Sequence, residues 1–171
     1  MHVFSRYWFT DFFLFQAVWV FAVVFHSPFI CILLLLARLY VSQDLRKELG
    51  IMCFVAPIGI VVDWLLSVFG VFHFEGGGFP FWMILLWCAF SIALTQSFYW
   101  LSMHKKWIQS TAGAIFGPLS YIAGWVVGAV DFGLHFIITT ALLSVIWMFM
   151  LPILYSVQAR AVNAQWVTEN R

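Results

Sequence analysis

Residues 50–71 read GIMCFVAPIGIVVDWLLSVFGV, and the residue in them that decides the fold is Asp63. Crossing the ~30 Å hydrocarbon core of a bilayer takes roughly 20 apolar residues, and this stretch has that length. Ala56, Gly59, Asp63, Ser67 and Gly70 recur at steps of three or four, so they share one narrow helix face. Asp63 sits at the centre of that face. It lies about 12 Å inside a helix end near Val71, at ~1.5 Å per residue. An ionisable group at that depth costs several kcal/mol if it meets lipid. The face must therefore turn into a bundle, and neighbouring helices must supply partners.

The rest of the chain agrees. Of 171 residues, 64% are hydrophobic and 9% charged, where soluble domains carry about 25% charged residues. Such a chain cannot cover a water-facing surface, which excludes a soluble enzyme and a nucleic-acid binder. The expected fold is all-α: a polytopic six-transmembrane-helix bundle, forming one transmembrane domain over residues 1–171. The apolar runs are 8–25, 28–42, 50–71, 80–102, 110–128 and 135–157, with a polar tail at 158–171. Six spans use about 120 residues and leave no room for a second domain. Turns are marked by His26-Ser27-Pro28, the charged segment Gln43 to Glu48, Gly76-Gly77-Gly78-Phe79-Pro80, His104-Lys105-Lys106 and Asp131-Phe132-Gly133. Arg6 followed by an apolar run resembles a signal peptide. No small-x-small cleavage site precedes Pro28, so the first run is expected to be retained.

Six spans put all eight basic residues on one side: Arg6, Arg38, Arg46, Lys47, Lys105, Lys106, Arg160 and Arg171. The other side carries Glu75, Asp131, His26, His73 and His135. The positive-inside rule then places both termini in the cytoplasm. Tyr7, Trp8, Tyr40, Trp100, Trp107 and Tyr155 are expected at the cytoplasmic interface, and Trp82 and Trp125 at the outer one.

The fifth run carries a second small-residue stripe, Gly113, Gly117, Ser120, Gly124 and Gly128, within roughly an 80° wedge. Small residues let backbones approach closely in a bilayer, where apolar burial cannot drive association. Gly59, Gly113, Gly117, Gly124 and Gly128 are thus candidate packing positions, and Pro118 is expected to kink its helix. The eleven-residue spacing from Gly59 to Gly70 recurs from Gly117 to Gly128, which reads as chance or shared packing logic. Cys88, Ser91, Thr95, Tyr99 and Ser102 line one face of the fourth run. The third, fourth and fifth runs are expected to form the core, with Asp63 hydrogen-bonded by Ser91, Ser120 or Tyr121.

Other chemistry is sparse. Cys31, Cys53 and Cys88 lie inside apolar runs and suggest neither disulfides nor metal. His-Glu-x-x-His, Gly-x-Ser-x-Gly and P-loop patterns are missing, and no cofactor is implied. His2 and His104 read as interfacial. His26, His73 and His135, with Glu75 and Asp131, read as solvated loop residues or an outer metal or proton site. Gln16 and Gln96 are candidates for a hydrogen bond between the first and fourth runs. The loop from Phe72 to Trp82 could lid a pocket floored by Asp63, or re-enter the headgroup region. Candidate ligand-binding residues are Asp63, Ser91, Ser120, Tyr121, Glu75, Trp82 and Trp125, and candidate catalytic groups are Asp63 and Tyr121.

The segments Gly59-Ile-Val-Val-Asp63-Trp-Leu-Leu-Ser-Val-Phe-Gly70 and Gly113-Ala-Ile-Phe-Gly117-Pro118-Leu-Ser120-Tyr121-Ile-Ala-Gly124, with the Trp87-centred fourth run, resemble a bacterial family. Its members are small six-span membrane proteins catalogued as a domain of unknown function. Their genes often stand beside those of cyclopropane-fatty-acid-synthase-like enzymes and flavin amine oxidases. The resemblance implies an accessory or scaffold component in membrane-lipid modification, with membrane lipids and a protein partner or second copy as its company. Six spans in about 20 kDa also resemble the substrate-binding subunits of energy-coupling-factor transporters. An intramembrane enzyme using Asp63 is a third reading, and an enzyme is the less favoured outcome.

Overall fold

The computed structural model describes residues 8–42 and 44–169, with side chains between residues 9 and 162. His2, Arg6, Tyr7, the Trp8 side chain and Arg171 lie outside the described residues. The fold is all-α apart from one small ribbon. Its elements are α1 (Trp8–Val23), α2 (Pro28–Tyr40), α3 (Leu45–Val68), β1 (Phe72–Phe74), α4 (Phe81–Thr95), α5 (Tyr99–Ser102), α6 (Lys106–Val126), β2 (Val130–Phe132) and α7 (Phe136–Glu169). Two helical stretches, Leu45–Val68 and Phe136–Val162, are long and apolar enough to cross a membrane. Phe9–Val23, Pro28–Tyr40 and Phe81–Thr95 are apolar but shorter.

The helices pack in an open arc. α6 lies on α7, α7 on α3, α3 on α4, and α4 on α1, with α2 against α1 and α4. The expected core of the third, fourth and fifth runs meets at Asp63, and this order adds the last run to it. The main packing partner of α6 is α7, the last apolar run, and α3 sits between α7 and α4.

The fourth run is two helices instead of one. The chain turns at Gln96, Ser97 and Phe98 before the short α5. Apolarity alone hides this break, because the freed backbone groups find partners inside the protein. Tyr155 Oη donates to Phe98 O at 2.9 Å, and Gln109 Nε2 reaches the carbonyls of Leu101, Ser102 and His104 at 3.1–3.3 Å. Tyr155 is consequently buried, where the sequence places it at the membrane interface. Trp82 is buried too, whereas Tyr40, Trp100, Trp107 and Trp125 are exposed.

The Pro118 site is satisfied in a similar way. α6 continues through Pro118, which has no N–H for the carbonyl of Ala114. Ser144 Oγ of α7 donates to that carbonyl at 2.7 Å. A hydroxyl from a packed neighbour is how apolar surroundings tolerate an interrupted helix ladder.

The small-residue stripes have specific occupants, and both are indole groups. A Cβ on Gly59 would fall 2.2 Å from the Trp87 ring. A Cβ on Gly117 would fall 2.1 Å from the Trp147 ring, and one on Gly113 would fall 2.2 Å from the Trp147 backbone oxygen. Trp87 and Trp147 in turn stack on each other, with ring centroids 5.8 Å apart and planes 10° apart. Gly124 is less crowded: a Cβ there would stand 3.3 Å from Val130 Cγ1. Gly128 does not serve packing, since no atom lies within 4 Å of its Cβ direction. Its φ of +81° ends α6 in the left-handed conformation, as φ +70° at Gly70 ends α3.

That shared ending opens a correspondence. After Gly70 the chain enters β1, and after Gly128 it enters β2. The two strands pair antiparallel, with His73 opposite Asp131 at the centre. Gly117, Tyr121, Gly128 and Asp131 each carry a number 58 higher than Gly59, Asp63, Gly70 and His73. The repeated eleven-residue spacing is therefore a helix–glycine–strand unit used twice, in α3–β1 and α6–β2. Division of the chain into two halves of three runs conceals it.

Candidate functional site

Asp63 is 1% exposed and projects from α3 between α4 and α6. Tyr121 Oη donates to Asp63 Oδ1 at 2.5 Å, and Trp87 Nε1 donates to Oδ2 at 2.7 Å. Each carboxyl oxygen thus holds one donor from a different helix. Of the three expected partners, Tyr121 reaches the acid. Ser91 Oγ instead donates to Trp87 O at 2.7 Å, four residues back on its own helix, a satisfaction that hydroxyls in helices readily find. Ser120 is exposed and accepts from Trp19 Nε1 at 3.2 Å. Trp87 is the partner that sequence reasoning missed. Its signal was a large indole able to enter the notch at Gly59, but local spacing does not match a notch to its occupant.

Asp63 forms part of the floor of a cavity of about 620 Å³. α1 and α6, the two ends of the helical arc, flank its opening, and the Trp19–Ser120 hydrogen bond spans them. Phe15, Trp19, Trp87, Phe90, Phe98 and Trp147 make its walls chiefly aromatic, and Gln16 also lines it. The β1–β2 ribbon closes one end. Phe72 is fully buried against the Tyr121 ring, while Phe74 packs edge-on to Trp82, and both Phe74 and Trp82 line the cavity. The start of the expected lid, Phe72–Phe74, is thus a paired strand that packs on Tyr121 and lines the cavity.

Other candidates stand apart from this cavity. Trp125 lies on the outside, 41% exposed and stacked on Phe132. Glu75 is exposed, and its Oε2 lies 3.6 Å from His26 Nδ1. His26 also stacks on Trp82 at 5.8 Å. Among the described residues, no three His, Cys, Asp or Glu side chains gather as a metal-ligand set.

A second polar cluster lies at the opposite end and was not anticipated. Arg38 of α2 is buried. Its Nε donates to Asp11 of α1, and Nη2 and Nη1 donate to Glu48 Oε1 and Oε2 of α3 at 2.7 and 3.1 Å. Gln96 Nε2, expected on Gln16, donates to Glu48 Oε1 at 3.2 Å. Arg38 is thus a bidentate clamp inside the bundle, not a loop-flanking charge. Its signal was present: an arginine within an apolar run, with one acid in the first turn of the preceding run and another just before the next.

Asp63 and Tyr121 together can accept, hold or pass a proton at hydrogen-bond range. The cavity can hold an apolar chain against that pair. No curated protein and no solved structure shows significant similarity to the chain. One family model does match, over residues 8–153, which takes in Asp63, Trp87, Tyr121, Trp147 and the ribbon. The chain belongs to the family described as protein of unknown function (DUF2878).

Proposed function

We propose that the protein is a six-span integral protein of the bacterial inner membrane that holds a lipid chain in the cleft between α1 and α6, as an accessory component of membrane-lipid modification. The cavity carries this reading: about 620 Å³, largely aromatic, and flanked by α1 and α6, which the Trp19–Ser120 hydrogen bond bridges. A cleft of that kind suits an apolar ligand oriented by few polar groups. The outer surface supports the membrane setting. Phe13, Phe29, Phe54, Phe69, Phe116 and Phe149 are all more than half exposed, far more apolar surface than a soluble monomer displays. Arg46, Lys47, Lys105 and Lys106 flank helix ends opposite the ribbon, which supports cytoplasmic termini.

The intramembrane-enzyme reading draws on one observation, the direct bond between the Tyr121 hydroxyl and Asp63 on the cavity wall. The transporter-subunit reading is less favoured. Trp82 on the cavity wall fits it, but that reading places its pocket at the outer mouth, whereas this cavity runs between α1 and α6 down to Phe98 and Tyr155, with Trp64 and Trp125 exposed.

The test is native mass spectrometry of protein released gently from its own membrane, compared with the variant Ala112→Phe/Ala123→Phe, which fills the cavity from α6. The native protein should carry lipid or a single-chain adduct that the filled variant lacks. Equal adducts on both proteins refute the cleft as the binding site.

A further inference from the structure

Resting on the reading of the cleft as a lipid-chain site, we infer that its ligand is a single-chain amphiphile whose head is neutral and offers an oxygen acceptor, seated at Trp147, Tyr121 and Asp63. The argument begins with an imbalance of donors and acceptors. The Asp63 oxygens already hold Tyr121 and Trp87. Trp147 is 8% exposed and lines the cavity, and its buried Nε1 has no hydrogen-bond acceptor in range. The Tyr121 hydroxyl oxygen is its polar neighbour, but it lies outside hydrogen-bond geometry for the indole N–H and turns its own proton to Asp63. A buried indole N–H without an acceptor is left uncompensated for its lost water, so a bound group with a lone pair is favoured there.

The charge of the head follows from the walls. Among the described lining residues there is no lysine, arginine or histidine, and the nearest ionisable group is an acid. A carboxylate or phosphate head would meet Asp63 with no cation to offset it. An ammonium head has no lone pair for Trp147. A hydroxyl, ether or carbonyl oxygen satisfies the N–H without adding charge.

The length follows from the helices. The polar trio lies near the ribbon, under Phe74 and Trp82. Away from the ribbon the lining runs from Tyr121 to Ala112 on α6, about 14 Å, and from Trp147 to Tyr155 on α7, about 12 Å. That limb is walled by Phe15, Phe90, Leu94, Phe98 and Leu151, all apolar. The ligand's head thus faces the ribbon end, and its tail runs toward the α4–α5 turn.

The experiment uses the full chain in phosphatidylcholine nanodiscs, loaded separately with 1-dodecanol, methyl dodecyl ether, dodecane, dodecylamine and dodecanoate, and read by native mass spectrometry. The alcohol and the ether should be retained about tenfold over dodecane, the value of one neutral hydrogen bond. Trp147→Phe should bring all three to parity while still retaining them. Parity in the unmodified protein, or a preference that survives Trp147→Phe, overturns the assignment of the head and leaves the cleft standing. Stronger retention of the amine or the carboxylate overturns the neutral head. Retention of none of the five overturns the cleft itself. If Trp147→Phe does not fold, the alcohol–ether–alkane comparison on the unmodified protein decides alone.

Discussion

Replacing Gly113 with alanine adds one methyl group at the place where the structure can least accept it. The new Cβ would lie 2.2 Å from the backbone oxygen of Trp147 and 3.0 Å from Leu151 Cβ. A backbone carbonyl in mid-helix cannot rotate away, so α6 and α7 must part by about 1 Å to restore ordinary contact. A gap of that size forfeits a quarter to a half of each dispersion contact along the interface. With overpacking of a tight core costing typically 1–3 kcal/mol, and this being the principal helix pair, the expected loss is about 3 kcal/mol. Gly124→Ala is the internal control: the same chemical change on the same helix, with its closest atom, Val130 Cγ1, at 3.3 Å on a side chain that can shift. It should cost less than about 1 kcal/mol. Equilibrium unfolding in mixed micelles, followed by tryptophan fluorescence, measures both. Losses within 0.5 kcal/mol of each other, taking about that as the resolution of such comparisons, would refute the reasoning that helix approach at Trp147 sets the stability.

Two other substitutions test the buried polar groups. Arg38→Met strands Asp11 and Glu48 as unpaired buried acids and should cost about 3–5 kcal/mol; adding Asp11→Asn and Glu48→Gln should recover most of it, and failure to recover would show that the clamp does more than neutralise charge. Asp63→Asn keeps an acceptor for Trp87 and a polar contact for Tyr121, so its thermal unfolding should stay close to the parent, whereas Asp63→Leu leaves both donors buried without acceptors and should lose about 2–4 kcal/mol; equal loss in both variants would mean that the site requires a carboxylate.

The buried acid and its small-residue face were legible because a polar group in hydrocarbon admits few solutions. Tyr121 was legible for the same reason, as a hydroxyl at matching depth. The serines mislead because a hydroxyl on a helix can satisfy itself on its own backbone, as Ser91 does on Trp87 O. The indole partners stay hidden because a glycine notch shows in the sequence while the side chain that fills it, from another helix, does not. The turn at Gln96 to Phe98 is hard to read from hydropathy because Tyr155, far along the chain, takes the Phe98 carbonyl and lets the break sit inside the protein. The Arg38 clamp needs three runs to be read together. Each of its members looks like an ordinary helix-end charge when taken singly.

The matching numbering of the α3–β1 and α6–β2 units places Asp63 and Tyr121 at the same rung of two copies of one design. Had two separate, identical hairpins assembled face to face, that rung would have offered two acids or two phenols, either repelling or leaving a hydroxyl unanswered. Joining both copies in one polypeptide releases each to mutate alone. A proton donor can then face a proton acceptor, and the pair acquires a direction that two identical units could not give it.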